Sequence, residues 1–144
     1  MDGSGFEPIE FVECTPRVAR ERMWVAVRDG REALSVFVAY APAPGATRMY
    51  DLITYTVESE QGNGYGTALV LHAQAVLAAQ DPPIRLCFNE IATPSGEALA
   101  LKVAAATGKL MASKAEYDQA RADQEGLAAL QAAAETRGWV VPEP

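Results

Sequence analysis

The sequence predicts one α+β domain, with a mixed, mostly antiparallel central sheet built first and a strand–loop–helix–strand unit ending in a parallel strand pair. Three observations carry this. Short β-rich runs fill the first half, two of them joined by an Asp-Gly pair. A glycine-rich stretch, 61–67, lies between a β-prone run and an apolar run of helical length. Most of the alanines follow Thr67, and alanine is the best helix former. At 144 residues and 49 % hydrophobic, the chain is long enough to bury one core and too short for two, so residues 1–144 are expected to form a single domain.

In chain order, residues 9–14 alternate over a short stretch and read as a strand. Residues 23–27 lead into Arg28-Asp29-Gly30-Arg31, and 33–40 come back out of it. An Asp-Gly pair between β-rich runs predicts a hairpin. Pro42 and Pro44 end that strand, because proline has no N–H for a ladder. A further strand over 49–58 runs into the glycine stretch. Residues 68–80 are apolar almost all round, as in a helix packed on a sheet, and stop at Asp81-Pro82-Pro83. Residues 84–88 read as the next strand, with the helix as its crossover, which makes the pair parallel. Thr93-Pro94-Ser95-Gly96-Glu97 offers an N-cap to a helix over 97–106 that Gly108 ends. A long polar helix is expected over 113–137, with Tyr117, Ala120, Leu127, Leu130 and Ala134 near helical spacing. Residues 138–142 can close the chain as a short strand.

Composition excludes several classes of function. No run approaches the ~18 apolar residues of a membrane span, and residues 1–10 carry acids but no basic or apolar signal region. A cytoplasmic protein with no membrane partner is expected. Cys14 and Cys87 lie far apart, and there is one histidine, so no disulfide framework and no metal site are expected. The net charge of −7 argues against nucleic acid and favours a cationic partner. His72, within the first helix, is expected on its outer margin and receives no role.

Gln61-Gly62-Asn63-Gly64-Tyr65-Gly66-Thr67 is the most informative stretch. Three glycines at alternate positions on a strand-to-helix junction let the backbone curl tightly, so that several N–H groups point into one space. The helix that follows adds its own orphan amides and the positive end of its dipole, a setting that suits a phosphate. A Walker A loop would need Gly-Lys-Ser/Thr, and here Gly66 precedes Thr67 and Ala68. A Rossmann fingerprint would need Gly-x-Gly-x-x-Gly at the start of a βαβ unit, and the spacing differs. A glycine-rich turn with no ligand is the plain alternative. The remaining pattern, Gln/Arg-x-x-Gly-x-Gly/Ala, is filled by Gln61, Gly64 and Gly66. In this the stretch resembles the acetyl-CoA pyrophosphate loop of the GNAT superfamily of N-acetyltransferases, and Glu60-Gln61-x-x-Gly64-Tyr65-Gly66 looks most like the histone-acetylating members.

The resemblance covers about 24–110; residues 1–23 and 111–144 match the family poorly. It implies a GNAT-like fold, acetyl-CoA as co-substrate, and a bulged strand before the loop whose splay from the next strand takes the pantetheine arm. It places backbone groups of Tyr55, Thr56 and Val57 on the pantetheine amides, and amides of Gln61, Gly62, Asn63, Gly64, Tyr65, Gly66 and Thr67 on the pyrophosphate. Glycine is required at 64 and 66, and position 62 is free. The family's tyrosine acid is missing, since its two registers fall on Ala104 and Lys102; Tyr117 is read as packing. The N-terminal helices that shape the family's acceptor side shrink here to 15–21. The acceptor side is then built by the C-terminal helix or by a second subunit, as in a homodimer.

A neutral amine attacking a thioester needs a proton acceptor, and Asp51 and Glu58, near the two ends of the strand before the loop, are the candidate bases, with solvated strand-end carboxylates as the plain alternative. Two functions follow from the resemblance. One is transfer of an acetyl group in a ternary complex to a primary amine of a small molecule or protein. The other is a catalytically weak or inactive relative that serves as a CoA-binding or protein-interaction module.

Overall fold

The computed structural model describes residues 8–87 and 114–143, with backbone alone for 114–120. Its centre is a five-stranded sheet in the order β1-β2-β3-β4-β5: β1 Ile9–Cys14, β2 Glu21–Arg28, β3 Glu32–Tyr40, β4 Arg48–Thr56 and β5 Arg85–Cys87. The first four pair antiparallel, and β4 pairs parallel with β5 from Arg48↔Arg85 to Tyr50↔Cys87. Helix α1, Tyr65–Ala78, is the crossover between those two. Helix α2 runs Lys114–Arg137. The mixed, mostly antiparallel sheet expected from the sequence is therefore the observed one. Phe88 and the expected helix over 97–106, with Lys102, Ala104 and any splay of β4 from the strand beyond Cys87, lie outside the described residues, as do the side chains of Tyr117 and Ala120.

The β2–β3 hairpin turns where Asp-Gly requires. Asp29 at φ 54° and Gly30 at φ 67° are both left-handed, the conformation of a primed turn that matches strand twist, and Arg31 N–H closes it on Arg28 O at 3.0 Å. The strand before the loop is bulged, as the resemblance implies, and β3 carries a second bulge for which the sequence held no sign. Opposite Ala26 and Val27 the register steps from Ser35 to Ala33, leaving Leu34 extra in β3. Opposite Val38 and Ala39 it steps from Ile53 to Asp51, leaving Leu52 extra in β4. A bulge bends its strand and shifts which face the following residues take.

One helix covers each face. Leu69, Ala73 and Leu77 of α1, spaced four apart, pack on Trp24, Ala26, Phe37, Ala39, Met49 and Leu86. Each fully buried leucine removes enough apolar surface to be worth about 1.5–3 kcal/mol. On the other face Ala129, Leu130, Ala133 and Ala134 of α2 meet Val25, Val27, Val36, Val38, Ile53 and Val57. The buried stripe of α2 is thus narrower and richer in small residues than Leu127, Leu130 and Ala134 alone suggest; Leu127 is half-buried. Gly126 explains how close the helix comes, since a Cβ there would overlap Tyr55 Cβ and Cγ on β4.

The C-terminal end of α2 carries a Schellman cap: Gly138 at φ 74° is left-handed, Trp139 N–H reaches Ala134 O at 2.8 Å and Gly138 N–H reaches Glu135 O at 3.4 Å, so the last carbonyls are satisfied. The following residues form a single parallel bridge, Glu32↔Val140, where a short closing strand was expected. His72 is half-buried with its ring 5.1 Å from that of Phe11, a packing contact. Cys14 and Cys87 are free thiols, and burial raises the Cys14 pKa while the nearby Arg137 charge opposes it. No helix among the described residues is long and apolar enough to cross a membrane.

Candidate functional site

The backbone between β4 and α1 is built in steps. Val57 is extended and hands the chain to a 3-10 turn, Glu58–Glu60; Gln61 is extended again at φ −66°, ψ 145°. Gly62 at φ 87° and Gly64 at φ 82° are both left-handed. Gly64 is the N-cap of α1, with no side-chain cap and no acid in the first turn. The first intrahelical bond there is Ala68 N–H to Gly64 O at 3.0 Å. The amides of Tyr65, Gly66 and Thr67 therefore have no partner within the helix. They stand at a hollow of about 350 Å³ lined by Thr56, Glu60, Gln61, Gly62, Gly64, Tyr65, Gly66 and Thr67. Seven of the ten residues expected to bind a cofactor surround or form this hollow, and Asn63 sits between its two left-handed glycines.

The three glycines differ, and not as the sequence pattern divides them. Position 62 is not free, because a side chain there would be forced into the left-handed region, which costs non-glycine residues about 1–2 kcal/mol. The same holds for Gly64, and a Cβ at either would meet open space. Gly66 lies within α1, and its constraint is contact: a Cβ would stand 3.2 Å from Thr56 Oγ1. That hydroxyl cannot swing away cheaply, since it is hydrogen-bonded at 2.9 Å to Ser35 Oγ, which also donates to Tyr55 O at 2.9 Å. Ser35 is fully buried.

The strand end is narrower in what it offers than expected. Val57 N–H donates to Leu34 O at 2.9 Å and so faces β3. Backbone direction alternates along a strand, which turns Tyr55 the same way and leaves Thr56 facing the β5 edge. Thr56 O already accepts from Gln61 Nε2 at 3.0 Å, a bond that folds the loop back on the strand it leaves.

The two candidate bases do not converge. Glu58 is exposed and belongs to the 3-10 turn, outside the strand that the sequence placed it in. Asp51 is half-buried beside the Leu52 bulge. At about 3.4 Å of rise per residue the strand holds them on the order of 15–20 Å apart, so one reacting centre can use only one of them. Glu58 instead lines a second hollow, of about 420 Å³, with Tyr55, Gln61, Asp123, Gln124 and Leu127. Burial raises the Tyr55 pKa, and the charges of Asp123 and Glu58 add to the rise. The contribution of α2 through Asp123 had no signal in the sequence beyond the helix itself. No cluster of three or more metal-ligating side chains occurs among the described residues.

Sequence reading also missed a brace. Arg28 Nε donates to Glu32 Oε1 at 3.1 Å, Arg28 Nη1 pairs with Glu60 Oε1, and Glu60 Oε2 accepts from Asn63 Nδ2 at 2.9 Å.

No protein-family model matches the chain, and no curated protein does. Among solved structures it is similar to an integron cassette protein from the mobile metagenome of V. cholerae, with 21 % identity over 67 % of this chain and 58 % of that one, at a TM-score of 0.40. A putative acetyl transferase from Pyrococcus furiosus has 20 % identity over 65 % of this chain and 61 % of its own, at 0.41. The aminoglycoside acetyltransferase AAC(6')-Iy, in complex with a bisubstrate analogue of CoA, has 13 % identity over 68 % and 67 %, at 0.41. The chain spans about three fifths of the length of the first two. Overlaps this shallow assign no family, and the chemistry has to come from the residues.

Proposed function

We propose that this protein is an N-acetyltransferase of the GNAT type, which holds acetyl-CoA by its pyrophosphate at the loop 61–67 and passes the acetyl group to a primary amine of a small molecule or protein. The observation that carries the reading is the uncapped start of α1. Three orphan amides, a dipole with no acid in the first turn, and two left-handed glycines open one hollow, and that combination complements an anion better than any neutral group. The backbone groups that line the hollow suit a pyrophosphate, and the one carboxylate among the described lining residues, Glu60, is paired with Arg28.

Bound there, the co-substrate supplies an activated thioester. Gly62 and Gly64 shape the cradle, and Gln61 holds it against Thr56. An arm running back from the loop along the edge of β4 that no described residue pairs beyond Tyr50 would bring its far end toward the Leu52 bulge, which selects Asp51 over Glu58 as the group that takes the proton from the attacking amine, directly or through one water. A backbone N–H on that edge of β4, nearer the bulge than Thr56, which lines the phosphate hollow, would polarise the carbonyl, and holding both reactants supplies much of the acceleration. Glu58, at the phosphate end, has no proton to take.

Calorimetric titration with acetyl-CoA and CoA tests the reading. Binding with a rise in melting temperature is expected, since a ligand of the folded state stabilises it by mass action. No binding at millimolar ligand overturns it. Binding without any acetylated product, sought by mass spectrometry after incubation with a cell extract, selects the CoA-binding module over the enzyme; the absence of a phenol at 102 and 104 favours that second reading.

A further inference from the structure

Glu60 is the one charged side chain among the described residues that line the hollow. A carboxylate beside a phosphate site is a liability, because like charges at a few ångströms repel strongly where water is partly excluded. Its surroundings turn it into something else. The side chain is only 12 % exposed, and it is paired with the Arg28 guanidinium, itself 21 % exposed. Its second oxygen takes the Asn63 amide, between the two left-handed glycines. Arg28 is fixed in turn by Glu32 across the hairpin turn, and the bonds to the two carboxylates hold its proton more tightly than an ordinary arginine's. The hairpin end, the 3-10 turn and the loop are thereby joined through three side chains, of which Arg28 is far in sequence from Glu60 and Asn63.

We propose that Arg28 is a positioning residue for the loop: acting through Glu60, it tethers Asn63 and so sets the backbone on either side of it, and it cancels the negative charge that would otherwise face the bound phosphates. The inference rests on the pyrophosphate reading of the hollow, and its two roles make separate demands. The tether acts in the free protein. The charge acts only on an anionic ligand, and its effect is screened by salt.

The experiment measures CoA affinity at low and high salt for Arg28→Gln, Glu60→Gln and the double variant, with amide hydrogen exchange across 61–67 in the free proteins. Arg28→Gln bares the Glu60 charge and is expected to raise the Kd for CoA by about tenfold, with the loss shrinking at high salt. Glu60→Gln keeps an acceptor for Asn63 and removes the charge, so it is expected to bind CoA at least as tightly as the parent. Adding Glu60→Gln to Arg28→Gln is expected to recover most of the lost affinity, which a role confined to stability would not do. Arg28→Lys, which keeps the charge but not the fork, should lie between. In the free protein, exchange across the loop should quicken in Arg28→Gln.

A double variant no tighter than Arg28→Gln, or an Arg28→Gln protein that binds as the parent does at both salt concentrations, overturns the charge role. Unchanged loop exchange in Arg28→Gln overturns the tether. A parent that does not bind CoA removes the pyrophosphate reading instead, and loop exchange then decides on the tether alone.

Discussion

At the C-terminal end of β4, side-chain hydrogen bonds converge from several elements: Ser35 on Tyr55 and Thr56, Gln61 on Thr56, and Asn63 on Glu60 with Arg28 behind it. Gly126 of α2 lies against Tyr55 as well. Toward the other end the strand is interrupted at Leu52, which stands 43 % exposed, with half-buried Asp51 beside it. One end is over-determined and built around backbone amides; the other is irregular and presents an acid. A site that holds a large ligand and a site that reacts with a second one make these different demands, since holding calls for fixed geometry and reaction calls for a proton acceptor with room for an approaching amine.

The sharpest way to break this contrast is to exchange the acids. Asp51→Asn is expected to slow acetyl transfer by about a hundredfold or more while CoA still binds, and Glu58→Gln is expected to change the rate by less than about twofold. The reverse result, read by steady-state kinetics beside calorimetric titration, would move the reacting centre to the loop end. Within the loop, Gly64→Val forces a branched residue into the left-handed region at a cost of about 2 kcal/mol or more. CoA binding should then weaken by about thirtyfold, with circular dichroism unchanged. Gly62→Ala should weaken it less, by about fivefold; parity with the parent would mean the left-handed turn at 62 plays no part in the cradle.

Stability reports on the same contrast. Gly126→Ala should destabilise by about 1–3 kcal/mol in urea, because α2 must back away from Tyr55, whereas Leu52→Thr at the bulge should stay within about 0.5 kcal/mol of the parent. Equal costs would show that the two ends are packed alike. The smallest effect concerns the Tyr55 phenol, whose pKa is raised from 10.0 by burial and by the charges of Asp123 and Glu58. A raised folded-state pKa contributes stability that is full below the unfolded value, about 10, and is lost as pH rises through the folded one. The alkaline fall in melting temperature should therefore be shallower in Tyr55→Phe.

How much of this was legible follows from what each feature is made of. The strand Ile9–Cys14 and the Asp29-Gly30 turn could be read because alternation and positive φ leave residue-type marks. The glycine loop could be read for the same reason, although the division among its glycines could not: Gly66 answers to Thr56 and Ser35 across the sheet, a contact with no trace in local sequence. Helix α1 starts at Tyr65, earlier than an apolar run beginning at Ala68 suggests, since its cap is a backbone conformation and not a side chain. The bulge at Leu34 left no mark either, and the one at Leu52 was expected only through the resemblance, since bulges are consequences of pairing between strands. The brace of Arg28, Glu60 and Asn63 needed the hairpin and the loop to meet, and on the chain these residues look like ordinary solvated charges and a loop amide.

The bridge between Val140 and Glu32 has a consequence for the order in which the molecule assembles. Val140 N–H bonds Arg31 O at 2.7 Å and Ala33 N–H bonds Val140 O at 2.9 Å, joining the start of β3 to the residues after α2, far along the chain. Closing so long a segment carries a loop-closure entropy that must be met before the contact returns anything, so these bonds are expected to form after the sheet has α2 docked on it. Refolding monitored by pulsed hydrogen exchange should protect the amide of Ala33 later than those in the middle of β3, so that the edge of β3 beside Glu32 is completed only once α2 is in place.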